Sequence, residues 1–295
     1  MFGIGQTSQP NSRNSSNSIN AMGMVSKYGD LGKMMLCAVL ALAVYVVFVF
    51  VELIYQYIKR LSINRTELMP NTYVMDSKSI TVQQNPRIAN SKPVHLSENE
   101  RSGIEFSYAF YLNVSSSAFT QYDGLFHIFH KGYPSMFPLM GPGVFMHSNK
   151  NTMRVYMNTH KTWNHYVDID NFPVGKWVHV VIACTQDAMH IYINGNLSKK
   201  VSFEGYTPYQ NYQDIICFSK AQKTFTHDKV PSTDDSGLTI RGECKGLLSR
   251  LLYFNYALSY SEITTLMNEG PSTNMDDSAM SEVPPYLADN WWTNQ

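Results

Sequence analysis

Asp168 and Asp170 are separated by one residue, a spacing that could support acid–base chemistry. Alternate residues of a β-strand face the same side, so the two carboxylates would share one face. Two carboxyl groups about 5.5 Å apart are the arrangement that retaining glycoside hydrolysis uses. Val167 and Ile169 would occupy the opposite face, which is the ordinary pattern of a strand with one solvated side. We therefore expect a solvated strand face and no catalytic residues.

Four histidines occur in two pairs, and each pair is a candidate for binding a metal. His127 and His130 are three residues apart and would face opposite sides of a strand. His160 and His165 flank a short polar segment, and no third ligand accompanies them. Zinc sites in proteins use at least three protein ligands. We therefore expect surface histidines and no bound transition metal.

Calcium is the other metal to consider, because it prefers oxygen ligands and takes six or more of them. Four aspartates are available, but they fall in no recognisable ligand pattern: Asp123, Asp168, Asp170 and Asp187. We expect no cofactor, and calcium stays open as the alternative.

Aromatic residues in polar segments are candidates for contact with a partner. Trp163 and Tyr166 lie in or beside the loop predicted at 160–165, and Trp291 and Trp292 lie near the C-terminus. Aromatic side chains on exposed loops are typical anchors for a protein or a sugar. We predict that these four residues bind protein partners or glycans. Packing of the same side chains on their own domain is the alternative.

Charge and composition exclude several classes of function. The 295 residues include 23 basic and 23 acidic side chains, so no net field attracts nucleic acid. The sequence has no P-loop, no dinucleotide-binding glycine pattern, and no G-x-S-x-G or H-E-x-x-H motif. Its four cysteines form no C-x-x-C pair and no disulfide framework. We expect buried thiols in the domain, with a Cys217–Cys244 bridge as the alternative.

One segment near the N-terminus is apolar enough to cross a lipid bilayer. Met34–Val51 carries no charge, and apolar and aromatic residues continue after Glu52 as far as Ile58. About 25 such residues form a helix of about 37 Å, which spans the hydrocarbon core. A cleaved signal would have a shorter apolar region and a small-residue cleavage site. The segment predicts a single-pass membrane protein with its transmembrane helix at 31–60.

The sequence leaves the orientation of that helix open. Basic residues near the helix are more numerous on its C-terminal side, which favours a domain on the cytoplasmic side. Three N-x-S/T sequons would suit a lumenal domain instead: Asn64, Asn113 and Asn196.

The rest of the chain divides by composition. Residues 1–30 are rich in Ser, Asn and Gly and are predicted to form a disordered tail. Residues 61–100 are polar without clear periodicity and are predicted to form a linker, with a short strand at Ser79–Gln83. Residues 101–271 carry the periodic segments of a globular domain, and residues 272–295 form a C-terminal tail.

Short alternating segments separated by turn signals predict strands in the domain. Ile104–Leu112, Met153–Met157 and Trp177–Cys184 are three of them. Met189–Ile193 is a fourth, and Asn194-Gly195 directly after it is the strongest short hairpin signal, because both turn positions need positive φ. Many short strands without intervening helices predict an all-β, antiparallel jelly-roll sandwich.

One short helix is predicted near the end of the domain. Ser259 and Glu262 have the spacing of a capping box, in which each side chain satisfies a free backbone N–H of the first turn. Ile263 and Leu266 supply an apolar face, and Gly270-Pro271 ends the helix.

Several segments resemble laminin-G-like, concanavalin A-like lectin domains. Val174–Ile182 followed by His190–Gly195 is similar to the family's G-x-W-x-H-V strand and a hairpin arm ending in Y-x-N-G. Gly246–Ile263 is similar to the closing pattern N-x-A-L-S-x-x-E-I, and Gly103–Tyr108 and Leu125–Gly132 fit the opening strands. The resemblance covers about residues 100–271 and implies a concanavalin A-like sandwich. Glycosidases of this fold carry E-x-D-x-x-E or E-x-D-x-E on one strand, and neither motif occurs here.

A narrower resemblance is to virion-associated proteins of giant DNA viruses. It rests on the order of membrane helix, linker and domain, together with Gly141–Phe145 and Tyr209–Tyr212. It implies a structural role at a virion membrane, where the domain would dock on neighbouring proteins. The sequence therefore predicts a membrane-anchored, non-catalytic binding or structural module. A lectin-like adhesin that binds glycans is the alternative, and a glycoside hydrolase is the least favoured reading.

Overall fold

The computed structural model of the chain describes residues 29–62, 65–97, 103–225 and 238–276. The chain separates into two compact units, Met1–Lys59 and Arg60–Gln295. The disordered tail predicted at 1–30 lies outside the described residues except for its last two. The predicted C-terminal tail lies outside them beyond residue 276.

The described part of the first unit lies entirely within one helix, α1. It spans Gly29–Ser62, which is 34 residues, and its last three residues belong to the second unit. Its stretch Gly29–Ile58 is long and apolar enough to cross a membrane, and none of its most apolar window is buried within the chain. Apolar side chains such as Leu42 and Phe48 are exposed along it. Exposure of this kind is unfavourable in water and favourable in a hydrocarbon phase.

The second unit is built almost entirely from β-strands. It also contains a 3₁₀ turn at Ser116–Ala118 and a helix, α2, at Tyr260–Glu269. The strands are β1 Arg65–Val74, β2 Ile80–Val82, β3 Phe106–Val114, β4 Leu125–Lys131, β5 Gly143–His147, β6 Met153–Met157, β7 His165–Ile169, β8 Val178–Cys184, β9 Ala188–Ile193, β10 Asn196–Ser202, β11 Ile215–Cys217, β12 Gln222–Thr224, β13 Thr239–Glu243 and β14 Gly246–Phe254.

The strands form two sheets, which confirms the predicted sandwich. The first sheet has six strands in the order β1-β14-β3-β8-β9-β10. The second has eight, of which six follow the order β12-β13-β4-β5-β6-β7, while β11 pairs with β4 and with β2. Among the described strand pairs, β13 with β4 is parallel and the others are antiparallel.

One apolar core fills the space between the sheets. Phe110 from β3 meets Phe129 from β4 edge-to-face, with ring centroids 5.2 Å apart. Tyr108 and Tyr253, from neighbouring strands of the first sheet, are 5.1 Å apart in the same core. Burial of large apolar side chains is the main favourable contribution to folding. The same core holds Cys184, Cys217 and Cys244 as free thiols, so the Cys217–Cys244 bridge considered from the sequence is not formed.

Helix α2 covers the outer face of the first sheet. Ile263 and Leu266 pack in a second apolar cluster with residues of β3, β8 and β14. The Tyr111 hydroxyl donates to the backbone oxygens of Leu266 and Met267, at 2.9 and 2.7 Å. The predicted capping box of Ser259 and Glu262 is present at the start of the helix. The central strands of this sheet are therefore buried on both faces.

The stretch predicted as a linker contains two strands. Arg65–Val74 is β1, an edge strand of the first sheet, and Ile80–Val82 is β2 of the second. The pairing of β1 with β14 is irregular between Glu67 and Met69 and again between Met69 and Thr72. Such bulges break the two-residue alternation. Strand β1 therefore leaves no regular pattern in the sequence and was not predicted, whereas β2 lies within the short strand predicted at 79–83.

Local turn chemistry was predicted correctly. Asn194 and Gly195 have φ of 47° and 79°, as a two-residue hairpin turn between β9 and β10 requires. The Asn194 side-chain oxygen also accepts a hydrogen bond from the His179 backbone N–H, at 2.9 Å, which ties the turn to β8.

The role of β1 can be tested by comparing two substitutions inside residues 61–100. Leu68→Ala should lower the free energy of unfolding by about 2–5 kcal/mol, because Leu68 is buried in the core and its loss leaves a cavity. Ile88→Ala, at an exposed side chain of the same stretch, is the matched control and should change stability little. Chemical denaturation of the full chain in detergent measures both. Equal, small effects would show that β1 is not part of the folded unit.

Candidate functional site

The carboxylate of Asp168 is held by an arginine across the second sheet. Register places Asp168 of β7 opposite Arg154 of β6. Arg154 donates through Nε and one terminal nitrogen to the two Asp168 oxygens, at 2.6 and 2.7 Å. Burial alone would raise the pKa of Asp168, but these hydrogen bonds outweigh it and hold the pKa well below its ordinary value. Asp168 is therefore ionised and bonded to Arg154. It differs from the freely solvated side chain that the sequence predicts.

Asp170 does not join Asp168 in a catalytic pair. Its side chain is exposed and accepts a hydrogen bond from the Thr152 hydroxyl at 3.1 Å. A retaining mechanism needs one carboxyl group that can donate a proton and one that is free to attack. With its two oxygens bonded to Arg154, Asp168 is poorly suited to either role.

Aromatic rings pack beside the ion pair on the outer face of the second sheet. The Arg154 guanidinium lies 4.0 Å from the centre of the Tyr166 ring, within the range of a cation–π contact. Tyr156 packs between Tyr166 and Phe145, with ring centroids 5.6 Å from each. Tyr166, predicted from the sequence as a binding residue, is thus half-buried and supports this layer.

Trp163 is half-buried in the same layer. Its ring centroid lies 5.2 Å from that of Phe137 and 5.7 Å from that of Phe225. Its backbone oxygen accepts a hydrogen bond from the buried Asn158 side chain at 2.8 Å. This is the packed arrangement considered as the alternative to an exposed anchor. Trp291 and Trp292 lie outside the described residues.

His127 and His130 are fully buried and in contact, so the expectation of surface histidines on opposite faces is wrong. The pairing of β4 with β5 shifts by one residue between His127 and Phe129. The extra residue, Ile128, turns the next part of the strand and brings both imidazoles to the same face. His127 Nε2 and His130 Nδ1 are 2.7 Å apart.

The hydrogen bonds around this pair fix both tautomers. His127 Nδ1 accepts from the Ser219 backbone N–H at 3.0 Å, so Nε2 carries the His127 proton and donates it to His130 Nδ1. His130 Nε2 then donates to the Tyr133 backbone oxygen at 2.9 Å. Each ring is neutral in this chain of bonds. Burial lowers the pKa of His130 to about 4 and that of His127 well below its ordinary value.

The described residues contain no group of three or more His, Cys, Asp or Glu side chains that could hold a metal ion. The pair formed by His127 and His130 lacks a third ligand, and its facing nitrogens already share a proton. The four aspartates considered for calcium do not converge within the described part of the chain.

An exposed aromatic surface forms where two loops meet at one end of the sandwich. We name it the rim surface and define it by His160, Lys161, Tyr206 and Tyr209. Lys161 Nζ lies 4.6 Å from the centre of the Tyr206 ring, and the rings of His160 and Tyr209 are 5.3 Å apart. Tyr206 and Tyr209 are 39 % and 37 % exposed. Sequence reasoning chose the neighbouring Trp163 instead and missed these tyrosines.

Backbone hydrogen bonds fix the two loops of the rim surface to each other. The His160 N–H donates to the Thr207 oxygen at 3.2 Å, and the Tyr209 N–H donates to the Asn158 oxygen at 2.8 Å. A short bridge pairs Thr159 with Pro208 between them. The rim surface is therefore ordered before any partner binds.

Comparison with protein families identifies the class of this domain. The family model of the concanavalin A-like lectin/glucanases superfamily, Laminin_G_3, matches residues 89–264, and the chain belongs to this family. The match begins inside the stretch predicted as a linker. No curated protein matches the chain.

Solved structures similar to this chain include receptor-binding domains of botulinum neurotoxins. The domain of the mosaic serotype C/D is 13 % identical with a TM-score of 0.44, and the match covers 67 % of this chain and 41 % of that one. The domain of botulinum neurotoxin D is 15 % identical with a TM-score of 0.44, and the match covers 70 % and 44 %. This chain therefore matches less than half the length of either domain.

Buried neutral histidines should make the fold sensitive to acid. Burial also lowers the pKa of His179, which stacks on Tyr111, to about 4. Because these pKa values are lower in the folded than in the unfolded chain, the unfolded state binds protons first as the pH falls. Stability should be fully present above about pH 7. It should decrease by about 1.4 kcal/mol per pH unit for each such histidine between about pH 6.5 and 4.

The measurement is the free energy of unfolding against pH, compared between the full chain and His179→Phe. The variant keeps an aromatic ring against Tyr111 but removes one titrating group, so its slope below pH 6.5 should be smaller by about 1.4 kcal/mol per pH unit. Stability that stays constant from pH 7 to 4.5 would contradict the assignment of buried neutral histidines.

Proposed function

We propose that this protein is a membrane-anchored, non-catalytic binding module whose rim surface docks on a partner protein. The observation that carries the proposal is the ordered, exposed aromatic surface at the end of a concanavalin A-like sandwich. The apolar helix α1 supports the membrane anchor, because it has the length and composition of a membrane-spanning segment.

The state of Asp168 supports a binding role over hydrolysis. The family includes glucanases, so a glycoside hydrolase is the alternative that the fold itself raises. Asp168 is bonded through both oxygens to Arg154, and its low pKa makes it a poor proton donor at neutral pH. We therefore propose that the sandwich has no catalytic pair on this face.

The composition of the rim surface favours a protein partner. Tyrosines are enriched among the residues that dominate the energy of protein interfaces. Because the two loops are already bonded to each other, binding costs little ordering entropy. Trp163 supports the loop that carries His160 and Lys161, because its ring and backbone oxygen are packed and bonded within the domain. Trp291 and Trp292 remain proposed as further anchors of the same kind.

The membrane of a virus particle is the proposed setting. This part of the proposal rests on the resemblance of the helix-plus-domain arrangement, of Gly141–Phe145 and of Tyr209–Tyr212 to virion-associated proteins of giant DNA viruses. There, the domain would dock on neighbouring structural proteins. A lectin-like adhesin is the second candidate function, and a pocket lined by Gln84, Lys131 and Asp214 favours it.

The anchor and its setting can be tested by fractionation. The full chain should stay with membranes after alkaline carbonate washing, and Val44→Arg should weaken its insertion by about 2.5–3.5 kcal/mol. Ser62→Arg, at the end of α1, is the matched control and should insert normally.

Purified virus particles should contain the protein. Release of the full chain by carbonate would contradict the anchor, and its absence from particles would contradict the virion setting.

Docking through the rim surface can be tested by site-specific photocrosslinking in intact membranes or particles. A photoreactive phenylalanine at Tyr209 should crosslink to one defined partner protein. The same group at Leu197, an exposed position of β10, is the control and should give no such product. Tyr206→Ala with Tyr209→Ala should weaken the interaction by about 2 kcal/mol or more if these rings are central anchors. Equal crosslinking from both positions would count against a specific rim surface.

A further inference from the structure

A pocket of about 510 Å³ in the second unit is lined mostly by polar residues. Its walls come from the segment after β2, the end of β4 and the segment before β11. We name it the lysine pocket and define it by Gln84, Ile88, Lys131, Asn211, Tyr212 and Asp214. Its volume lies in the range of small-molecule sites. The pocket is distinct from the Asp168–Arg154 pair, the His127–His130 pair and the rim surface.

Lys131 is the unusual residue of the pocket. It is only 4 % exposed, and its ammonium donates to the Gln213 backbone oxygen and, at 3.4 Å, to the Gln84 side-chain oxygen. Among the residues that the structure describes, no carboxylate lies within 4 Å of its Nζ. Burial lowers the pKa of Lys131 to about 8, and Asp214 offsets only part of this effect. A buried cation without a close counter-charge is costly, and a ligand's anion can supply that charge.

The acidic residue that lines the pocket, Asp214, is hydrogen-bonded to the backbone of the pocket wall. The Asp214 carboxylate accepts a hydrogen bond from the Gln84 backbone N–H at 2.8 Å. The Gln84 side chain donates to the Lys92 oxygen at 2.9 Å and accepts from the Val94 N–H at 3.0 Å. These bonds fix the part of the pocket wall formed by Gln84 and Asp214. They do not neutralise the charge of Lys131.

Asn211 fixes the other wall. Its side chain is buried and donates to the backbone oxygens of Lys131 and Gly141, at 2.9 and 3.1 Å. Its own oxygen accepts from the Gln213 N–H at 3.0 Å. Lys131 is thus positioned from two sides, so the pocket is preformed and a ligand need not order it.

An exposed aromatic ring and several amides stand at the mouth of the pocket. Tyr212 is 73 % exposed, and the amide side chains of Gln83, Asn85 and Gln213 also line the opening. A sugar ring offers an apolar C–H face to an aromatic ring and hydroxyl groups to amides. A carboxylate on that ring offers the counter-charge that Lys131 lacks.

From this arrangement we propose that the lysine pocket binds an acidic sugar, with its carboxylate on the Lys131 ammonium and its ring against Tyr212. The site is separate from the rim surface, and the proposal stands whether or not the rim surface docks on a protein. Binding is reversible and involves no covalent step.

The test uses the full chain in a detergent without a sugar headgroup and two probes that differ in one group. Methyl β-D-glucuronide carries a carboxylate where methyl β-D-glucoside carries a hydroxymethyl group. Titration calorimetry at pH 7 should show binding of the glucuronide and at least tenfold weaker binding of the glucoside. Equal binding of both probes, or binding of neither, would overturn the proposal. Inorganic phosphate that binds as tightly as the glucuronide would also overturn it, because the site would then recognise charge alone.

Variants of Lys131 and Tyr212 test the carboxylate contact and the sugar-ring contact separately. Lys131→Met should reduce glucuronide affinity at least tenfold. Because Lys131 is buried and its loss could disturb the fold, Tyr212→Ala provides a second test at an exposed position. It should weaken binding several-fold without changing the melting temperature, while Tyr212→Phe keeps the ring and should keep the affinity. Unchanged affinity in Tyr212→Ala would refute the sugar contact.

One further variant makes the outcomes for the two proposals distinguishable. Tyr209→Ala alters the rim surface and should leave glucuronide affinity unchanged. If Tyr209→Ala loses partner crosslinking and keeps sugar binding, the result concerns the docking proposal alone. A loss of sugar binding in Tyr209→Ala would mean that the lysine pocket is not a separate site.

Discussion

The inner faces of the two sheets meet in one apolar core, and the outer faces of the central strands are covered as well. Helix α2 covers the first sheet through Ile263 and Leu266, and a layer of aromatic rings around Tyr156 lies on the second. A strand buried on both faces cannot carry solvated side chains on either one. Most polar groups there are bonded within the protein, as Asp168 is to Arg154, and these bonded groups include the residues that resemble catalytic ones.

The same constraint favours the connecting segments as the place of the two proposed binding sites. Asp168 is paired with Arg154, and His127 with His130, because an unpaired charge or an unsatisfied imidazole would be costly at those depths. What remains for recognition is the chain that connects the strands. The segment between β10 and β11 is the clearest example, since it supplies Tyr209 to the rim surface and Tyr212 to the lysine pocket. Loops held by a rigid scaffold are where binding residues are commonly found.

A membrane anchor would change how strongly such surfaces need to bind. Copies held in one membrane meet partners at a high effective concentration, so several weak contacts can act together. A small docking surface and the lysine pocket would then suffice for stable attachment. This view joins the two proposals without requiring that they share residues.

Features set by neighbouring residues could be determined from the sequence alone. The apolar run of α1, the Asn194-Gly195 turn and the Ser259–Glu262 capping box depend on composition or on contacts within four residues. The alternating segments and the motifs at Val174–Ile182 and Gly246–Ile263 likewise led to the sandwich and its family.

Only the tertiary structure decided what depends on contacts between distant segments. Strand β1 was missed because its bulges remove the periodicity, and the contact of His127 with His130 was missed because the bulge at Ile128 reverses the expected face. The lysine pocket joins Gln84, Lys131 and Asp214, which are far apart along the chain. No local pattern marks such a meeting, because it is created by the pairing of strands and by the burial that this pairing imposes.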